Sequence, residues 1–250
     1  MDDTTARQLA DINAAFYARR AADFSATREG PWPGWRRLHE LLDREGLPTA
    51  ARVLDVGCGN GRLGRFLAEA RPSLRYTGLD RCRELVAIAR AAGGLGTEPE
   101  FLEADLVGDD PATTLGARRF DLIACFGLLH HVPGRARRQA LLATLLAHLA
   151  PGGMLAVTCW RLVSFARFRD KIAPWHEAQP PVDSTRLEAG DHLLPFGDGD
   201  GLRYVHFADE DETAELLDEL RVERVASWRA DGQSDELNQY FLVRPARDRR

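Results

Sequence analysis

Apolar blocks at 52–56, 75–79, 100–103, 120–125 and 154–159 are four to six residues long and bounded by Gly, Pro, Asp or Arg, the length and punctuation of buried strands. Between them, 61–70, 83–92 and 135–149 place apolar residues three and four apart, which predicts helices with one apolar stripe. Strands and helices in alternation read as successive βαβ units and a mostly parallel sheet. Pro151-Gly152-Gly153 stops the last helix and launches the fifth strand.

The flanks have a different texture. Segments 4–20 and 35–44 have helical patterns and enclose a stiff loop, Gly30-Pro31-Trp32-Pro33-Gly34. Residues 160–207 are irregular and rich in Arg, Pro and aromatic side chains, and so long a segment between sheet elements is uncommon unless it covers a site. A helix over 209–220 and strands over 221–228 and 239–244 then bring the sheet to seven strands. The expectation is one α/β domain, 1–250: a helical cap at 1–50, a core at 51–159, an insertion on the substrate side at 160–207, and a terminal helix and strands at 208–250.

Composition removes several classes of function. The chain is 44% hydrophobic and 28% charged, with no apolar run near the roughly 20 residues that a membrane helix needs. Met1-Asp2-Asp3-Thr4-Thr5 has no basic or apolar leader, so a soluble cytoplasmic protein with no membrane partner is expected. Cys58, Cys82, Cys125 and Cys159 lack paired spacing, which argues for reduced thiols and against a bound metal. A formal charge of −5 disfavours a uniform basic face, yet Lys171 is the sole lysine. Local positive charge is therefore carried by guanidinium groups suited to gripping carboxylate or phosphate.

The strongest local signal is Val53-Leu54-Asp55-Val56-Gly57-Cys58-Gly59-Asn60-Gly61, a strand running through a glycine turn into a helix. Such glycines let the backbone approach a ligand. A dinucleotide fingerprint requires its third glycine at 62, where the chain has Arg62. Asp55 ahead of Gly57 matches instead the glycine loop of class I methyltransferases, which the chain resembles. The resemblance implies a Rossmann-like seven-stranded sheet with helices on both faces and S-adenosylmethionine as cofactor. Asp55 would lie near its amino-acid end, and Gly57, Cys58, Gly59, Gly61, Arg28 and Phe126 would be among the residues that bind it. Asp80, followed by Arg81, stands at the tip of the second strand, where a carboxylate can accept both ribose hydroxyls. Asp105 and Leu106 match the pair that holds the adenine amino group and packs on the ring.

Cys125-Phe126-Gly127-Leu128 lacks the Asn/Asp-Pro-Pro-aromatic turn of amino-methylating enzymes. Cys125 and Cys159 end the fourth and fifth strands, where cytosine-C5 RNA methyltransferases keep two cysteines, but neither follows a proline, and buried packing thiols are the expectation. His130-His131 stands at the sheet edge where a base or an orienting donor would serve. Phe24-Ser25-Ala26-Thr27-Arg28, Pro31-Trp32-Pro33, His130-His131, Gly190-Asp191-His192-Leu193-Leu194-Pro195-Phe196 and Leu202-Arg203-Tyr204-Val205-His206 together resemble the tRNA wobble-uridine carboxymethyl methyltransferases, over nearly the whole chain. Members esterify 5-carboxymethyluridine, and eukaryotic ones work with a small zinc-binding activator subunit.

That resemblance implies Arg28, His131, Asp191 and Arg203 on the acceptor side and tRNA as partner. Arg161, Arg167, Arg169, Arg186 and Arg203 are then candidates for phosphate contact. A carboxylate acceptor, with a reference pKa near 4, is already ionised and needs positioning more than a base. A small-molecule carboxyl methyltransferase and a catalytically silent cofactor-binding subunit are the alternatives.

Overall fold

A computed structural model of the chain describes residues 1–28, 30–196 and 201–246. Parts of the expected insertion (197–200) and of the C-terminal segment (247–250) lie outside the described residues. The strands are β1 Arg52–Val56, β2 Arg75–Asp80, β3 Thr97–Glu103, β4 Phe120–Cys125, β5 Leu149–Trp160, β6 Asp191–Pro195, β7 Leu202–His206, β8 Val222–Ala230 and β9 Asn238–Pro245. The α-helices are α1 Asp3–Ala26, α2 Gly34–Arg44, α3 Arg62–Ala70, α4 Arg83–Ala92, α5 Pro111–Leu115, α6 Arg135–Ala147, α7 Ala166–Arg169 and α8 Glu210–Glu219.

Seven strands form one sheet in the order β3-β2-β1-β4-β5-β9-β8. Pairings β1–β2, β1–β4, β2–β3 and β4–β5 are parallel, whereas β9 runs against both β5 and β8. Period-two alternation splits each strand's side chains between two cores. Val53, Tyr76, Leu122, Ala156 and Leu242 pack under Leu38, Leu41 and Leu42 of α2 and Leu63 and Leu67 of α3. Leu54, Leu79, Ile123, Leu155 and Phe241 pack under Leu141, Leu142 and Leu145 of α6 and Leu217 of α8. The expected strands and helices all form, with helices on both faces of the sheet.

Three departures from the sequence reading have local causes. Helix α1 continues past residue 20 to Ala26, because Ala21, Ala22 and Ala26 are strong helix formers and the next proline is Pro31. Pro151-Gly152-Gly153 lies inside β5 as a loop-out: the β4 register jumps from Phe120–Leu149 to Leu122–Met154. The 160–207 segment is less irregular than expected, since β6 and β7 pair as an antiparallel hairpin, Asp191 opposite His206 and Leu194 opposite Arg203. Leu202-Arg203-Tyr204-Val205-His206 is aromatic and β-branched, and a Gly-rich stretch precedes it. That is a hairpin signal.

The hairpin rests on α1, where Leu9, Ile12, Leu193 and Tyr204 share a buried cluster. Farther along, Ala21 of α1 packs with Cys82 and Leu85 at the start of α4, joined by Tyr17 and Phe24. One long helix thus bridges the strand tips from the hairpin to α4. No helix among the described residues is long and apolar enough to cross a membrane.

Candidate functional site

Two adjoining cavities open at the C-terminal ends of the parallel strands. The first, about 350 Å3, is lined by Gly57, Gly59, Asp80, Arg81, Asp105 and Leu106. The second, about 320 Å3, is lined by Arg28, Asp55, Cys58, Arg62, Phe126 and Arg203, among others. Tyr17, Phe24, Gly57, Gly59, Gly127 and His131 border both. Their shared wall is where a group held in one cavity meets a group held in the other.

The glycine turn after β1 shapes the first cavity. Gly57 and Gly59 take φ of 75° and 52°, left-handed backbone that residues with a Cβ seldom adopt. A Cβ at Gly59 would meet no atom within 4 Å, so this backbone borders open space where a ligand fits. Asp80 Oδ2 accepts from Gly59 N at 2.8 Å and Oδ1 from Cys82 N at 2.8 Å. Each oxygen keeps lone-pair capacity for a further donor. Burial pushes the Asp80 carboxyl up, against those backbone bonds. Asp105 bonds with Arg7 and Arg81, so arginines share the position expected at the adenine. Gly61 lines neither cavity; at φ 75° it begins α3, and a Cβ there would press on Ala89 and Leu95.

Asp55 stands under the second cavity, buried on β1, with Oδ2 accepting from Tyr76 Oη at 2.8 Å. Burial pushes its carboxyl up to about 7; the Tyr76 bond opposes this and the Asp80 charge adds to it. Arg28 lies over the Phe24 and Phe196 rings at 3.8 and 5.1 Å. Burial, with the positive charges of Arg203 and Arg62, lowers its pKa to about 10. Arg203 is 7% exposed and near the rings of Trp160 and Phe196 at 5.2 and 5.5 Å. Its Nε has no hydrogen-bond partner, and no ion pair reaches Arg28, Arg62 or Arg203 among the described residues. A cavity wall bearing guanidinium groups with no ion pair among the described residues fits a carboxylate or phosphate.

His131 is held from both sides. Nδ1 donates to Tyr204 O at 2.9 Å, and Nε2 accepts from Tyr17 Oη at 2.8 Å. Burial and the Arg203 charge drive its pKa to about 3, so the ring is neutral. With both nitrogens engaged, His131 fixes Tyr17 and β7 at the shared wall. His130 Nδ1 is buried without a partner beside Trp160, and burial lowers its pKa well below the ordinary range.

Asp191 lines neither cavity. Its oxygens accept from Tyr204 Oη, His206 Nδ1 and Glu188 N, each at 2.8 Å. His206 Nε2 donates to Glu212 at 3.0 Å, while Arg138 bonds Glu188 at 2.8 Å and Glu212 at 2.6 Å. This buried network fastens the hairpin to α6 and α8, so Asp191 positions the strand that bears Arg203. Of the five arginines considered for phosphate contact, Arg203 is buried in the cavity wall. Arg161 donates to Glu236 O, Arg167 to Gln233, Arg169 to Val163 O, and Arg186 pairs with Asp183 at 3.7 Å. Cys125 and Cys159 are buried, their thiols pushed up by desolvation, as expected of packing residues.

Sequence reasoning missed Asn13, Tyr17, Trp35 and Arg62. Arg62 carried a usable signal, standing where the excluded dinucleotide pattern wants glycine. Asn13 and Tyr17 look like ordinary helix residues; only the fold shows them four apart on the α1 face toward His131.

A parallel sheet whose single reversed strand, β9, lies between β5 and β8, with a glycine turn under a nucleoside-sized cavity and carboxylates at successive strand tips, is the arrangement of class I methyltransferases. Residues 54–155 match a methyltransferase domain family. A protein of Encephalitozoon cuniculi whose name assigns it to the methyltransferases is 34% identical over 79% of this chain and 90% of its own length. The chain belongs to the S-adenosylmethionine-dependent methyltransferases, and S-adenosylmethionine is its cofactor. Trans-aconitate 2-methyltransferase of Azoarcus is 35% identical over 56% of the chain and 52% of its own length. Mouse tRNA (carboxymethyluridine(34)-5-O)-methyltransferase is 33% identical over 58% of the chain. The chain spans about half the first of these and 19% of the second. Among solved structures, a methyltransferase from Methanosarcina mazei superposes with TM-score 0.63 at 20% identity, over 87% of this chain and 99% of that one, which supports the fold.

Proposed function

We propose that the enzyme methylates a carboxylate oxygen, and that the acceptor is the 5-carboxymethyl group of a tRNA wobble uridine. The observation that carries the reading is Arg203, a buried guanidinium with an unsatisfied Nε, on the wall of a cavity that meets the cofactor cavity at Tyr17 and His131. When bound, S-adenosylmethionine supplies a sulfonium methyl; a carboxylate oxygen takes it as the S–CH3 bond breaks, the sulfur keeps the electron pair, and no proton moves.

The chain's own residues suit that economy. His131 is neutral with both nitrogens engaged, and among the described residues that border both cavities no other side chain is a free base. Arg203 holds the acceptor oxygens in line, Arg28 beside it takes the cofactor's carboxylate, and the Trp32, Trp35 and Phe126 rings, stacked at 5.4 to 6.5 Å, offer a flat wall for a base. Asp55 and Asp80 face the cofactor. Two relatives are named for carboxylate acceptors, trans-aconitate and carboxymethyluridine. The second reading, a free carboxylic acid as acceptor, is favoured by the acidic net charge of −5 and by the engagement of Arg161, Arg167 and Arg169 within the chain.

Methylation rates on carboxymethylated tRNA and on the free nucleoside, measured across salt, separate the two. A tRNA enzyme prefers the tRNA and loses affinity steeply with salt, because each neutralised phosphate releases counterion. Equal rates without salt dependence select the free acid.

A further inference from the structure

The second cavity, which takes the acceptor and meets the amino-acid end of the cofactor at Asp55 and Arg28, has another positive end. Arg62, at the start of α3, lies over the Trp32 and Trp35 rings at 5.5 and 5.3 Å, donates once, to Gly30 O at 3.0 Å, and has no ion pair among the described residues. Beside it Trp35 is 3% exposed, and its Nε1, a donor only, has no hydrogen-bond partner. The charges of two carboxylates on the cavity wall, Asp231 and Asp55, reach Arg62 without an ion pair, and both are engaged elsewhere: Asp231 Oδ1 accepts from Gly34 N and Oδ2 from Asn238 Nδ2 and Tyr240 Oη, and Asp55 Oδ2 accepts from Tyr76 Oη. Arg28 and Arg203, on the same cavity wall, are grouped instead around the Phe196 ring. Two anionic groups are already assigned to that pair, the cofactor's own carboxylate and the carboxylate to be methylated. Asn60 Nδ2 donates to Ser25 Oγ at 3.0 Å and reaches the Arg28 carbonyl at 3.5 Å, which ties the Arg28 segment to the glycine turn.

From the unsatisfied Trp35 Nε1 and the unpaired Arg62 we propose a second anion subsite: the acceptor carries another anionic group, a carboxylate or a phosphate, besides the one that is methylated. A buried donor left unpaired is costly, and a ligand anion beside Arg62 that draws the Trp35 indole edge to it would relieve that cost. Burial lowers the Arg62 pKa to about 10, so its charge persists at neutral pH. The inference rests on the carboxylate reading above. It adds that a monoanion fills only part of the site.

Protein loaded with S-adenosylhomocysteine is titrated calorimetrically with propionate and glutarate, then with 5-carboxymethyluridine and its 5′-monophosphate, for wild type and Arg62→Gln. Within at least one pair the dianion binds wild type at least tenfold more tightly, and Arg62→Gln brings that ratio to about one. A gain for glutarate identifies a free polycarboxylate as the source of the second anion, and a gain for the nucleotide identifies a phosphate. Trp35→Phe lowers the same ratio without removing charge. Equal binding of mono- and dianions by folded wild type overturns the subsite. So does an Arg62→Gln variant whose main loss is affinity for S-adenosylhomocysteine, because Arg62 then serves the cofactor. Methyl-ester formation is followed in parallel: Arg62-dependent dianion binding without ester refutes the carboxylate reading alone, and ester formation without dianion preference refutes the subsite alone.

Discussion

Lowering the pH should weaken cofactor binding through Asp55. Its carboxyl is pushed up to about 7 by burial, Tyr76 holds only Oδ2, and it borders the cavity beside Gly57 and Gly59. A cationic amino group placed there favours the ionised form, so binding expels a proton wherever Asp55 is protonated in the free protein. The folded pKa lies above the ordinary 3.8, so affinity rises with pH up to about 7 and is level beyond. With about a quarter of the carboxyl protonated at pH 7.5 and nearly all at pH 5.5, linkage weakens the apparent affinity by about 25-fold between them if the bound form stays ionised. His131, at about 3, does not titrate in that window. Isothermal titration with S-adenosylhomocysteine from pH 5.5 to 8 measures the curve, and Asp55→Asn should flatten it at the weak end. Affinity independent of pH in the wild type, or a slope that survives in Asp55→Asn, would refute the reasoning; a surviving slope would point to Asp80, whose carboxyl is also raised.

Arg203→Gln should lower kcat/KM for the acceptor by about 10- to 100-fold, the loss of one charge-assisted hydrogen bond of about 1.5–3 kcal/mol, with S-adenosylhomocysteine affinity within a few-fold by calorimetry. Tyr17→Phe removes the donor from buried His131 Nε2 and should cost about 1–3 kcal/mol in urea unfolding. Gly34→Ala should destabilise by about 1–3 kcal/mol, because its Cβ would stand 2.5 Å from the Tyr240 ring. His206 holds its proton above the ordinary 6.5 through its bonds to Asp191 and Glu212, against burial. Its share of stability is therefore complete below about 6.5 and lost as pH rises through the raised value, a slope that His206→Gln should remove from the unfolding midpoint.

The sheet was legible because the information for it is local. Each apolar block is bounded by turn residues, and Asp55, Asp80 and Asp105 stand at strand ends that periodicity already marks. The β6–β7 hairpin was not read, since Pro195 and the surrounding arginines resemble a covering loop and its stability comes from the buried cluster with Leu9 and Ile12 of α1. The same blindness to tertiary partners decides the roles of individual residues. Asp191 belongs to a motif next to the acceptor segment, yet His206, Tyr204 and the Glu188 amide claim its oxygens. His131 sits where a donor was expected, but α1 and β7 occupy both its nitrogens. Arg62 looked like a mere failure of the dinucleotide pattern, and only the stacked Trp32 and Trp35 give it a place in the cavity.

The central claim, methyl transfer to a carboxylate, is tested most directly by incubating the protein with methyl-labelled S-adenosylmethionine and tRNA bearing 5-carboxymethyluridine, then analysing the nucleosides by mass spectrometry before and after mild alkali. The account predicts a nucleoside one methyl heavier than 5-carboxymethyluridine, whose label is released as methanol by alkali, as an ester requires. Label that survives alkali on nitrogen or carbon, or no label in tRNA or in carboxylic acids of the host extract, would contradict it.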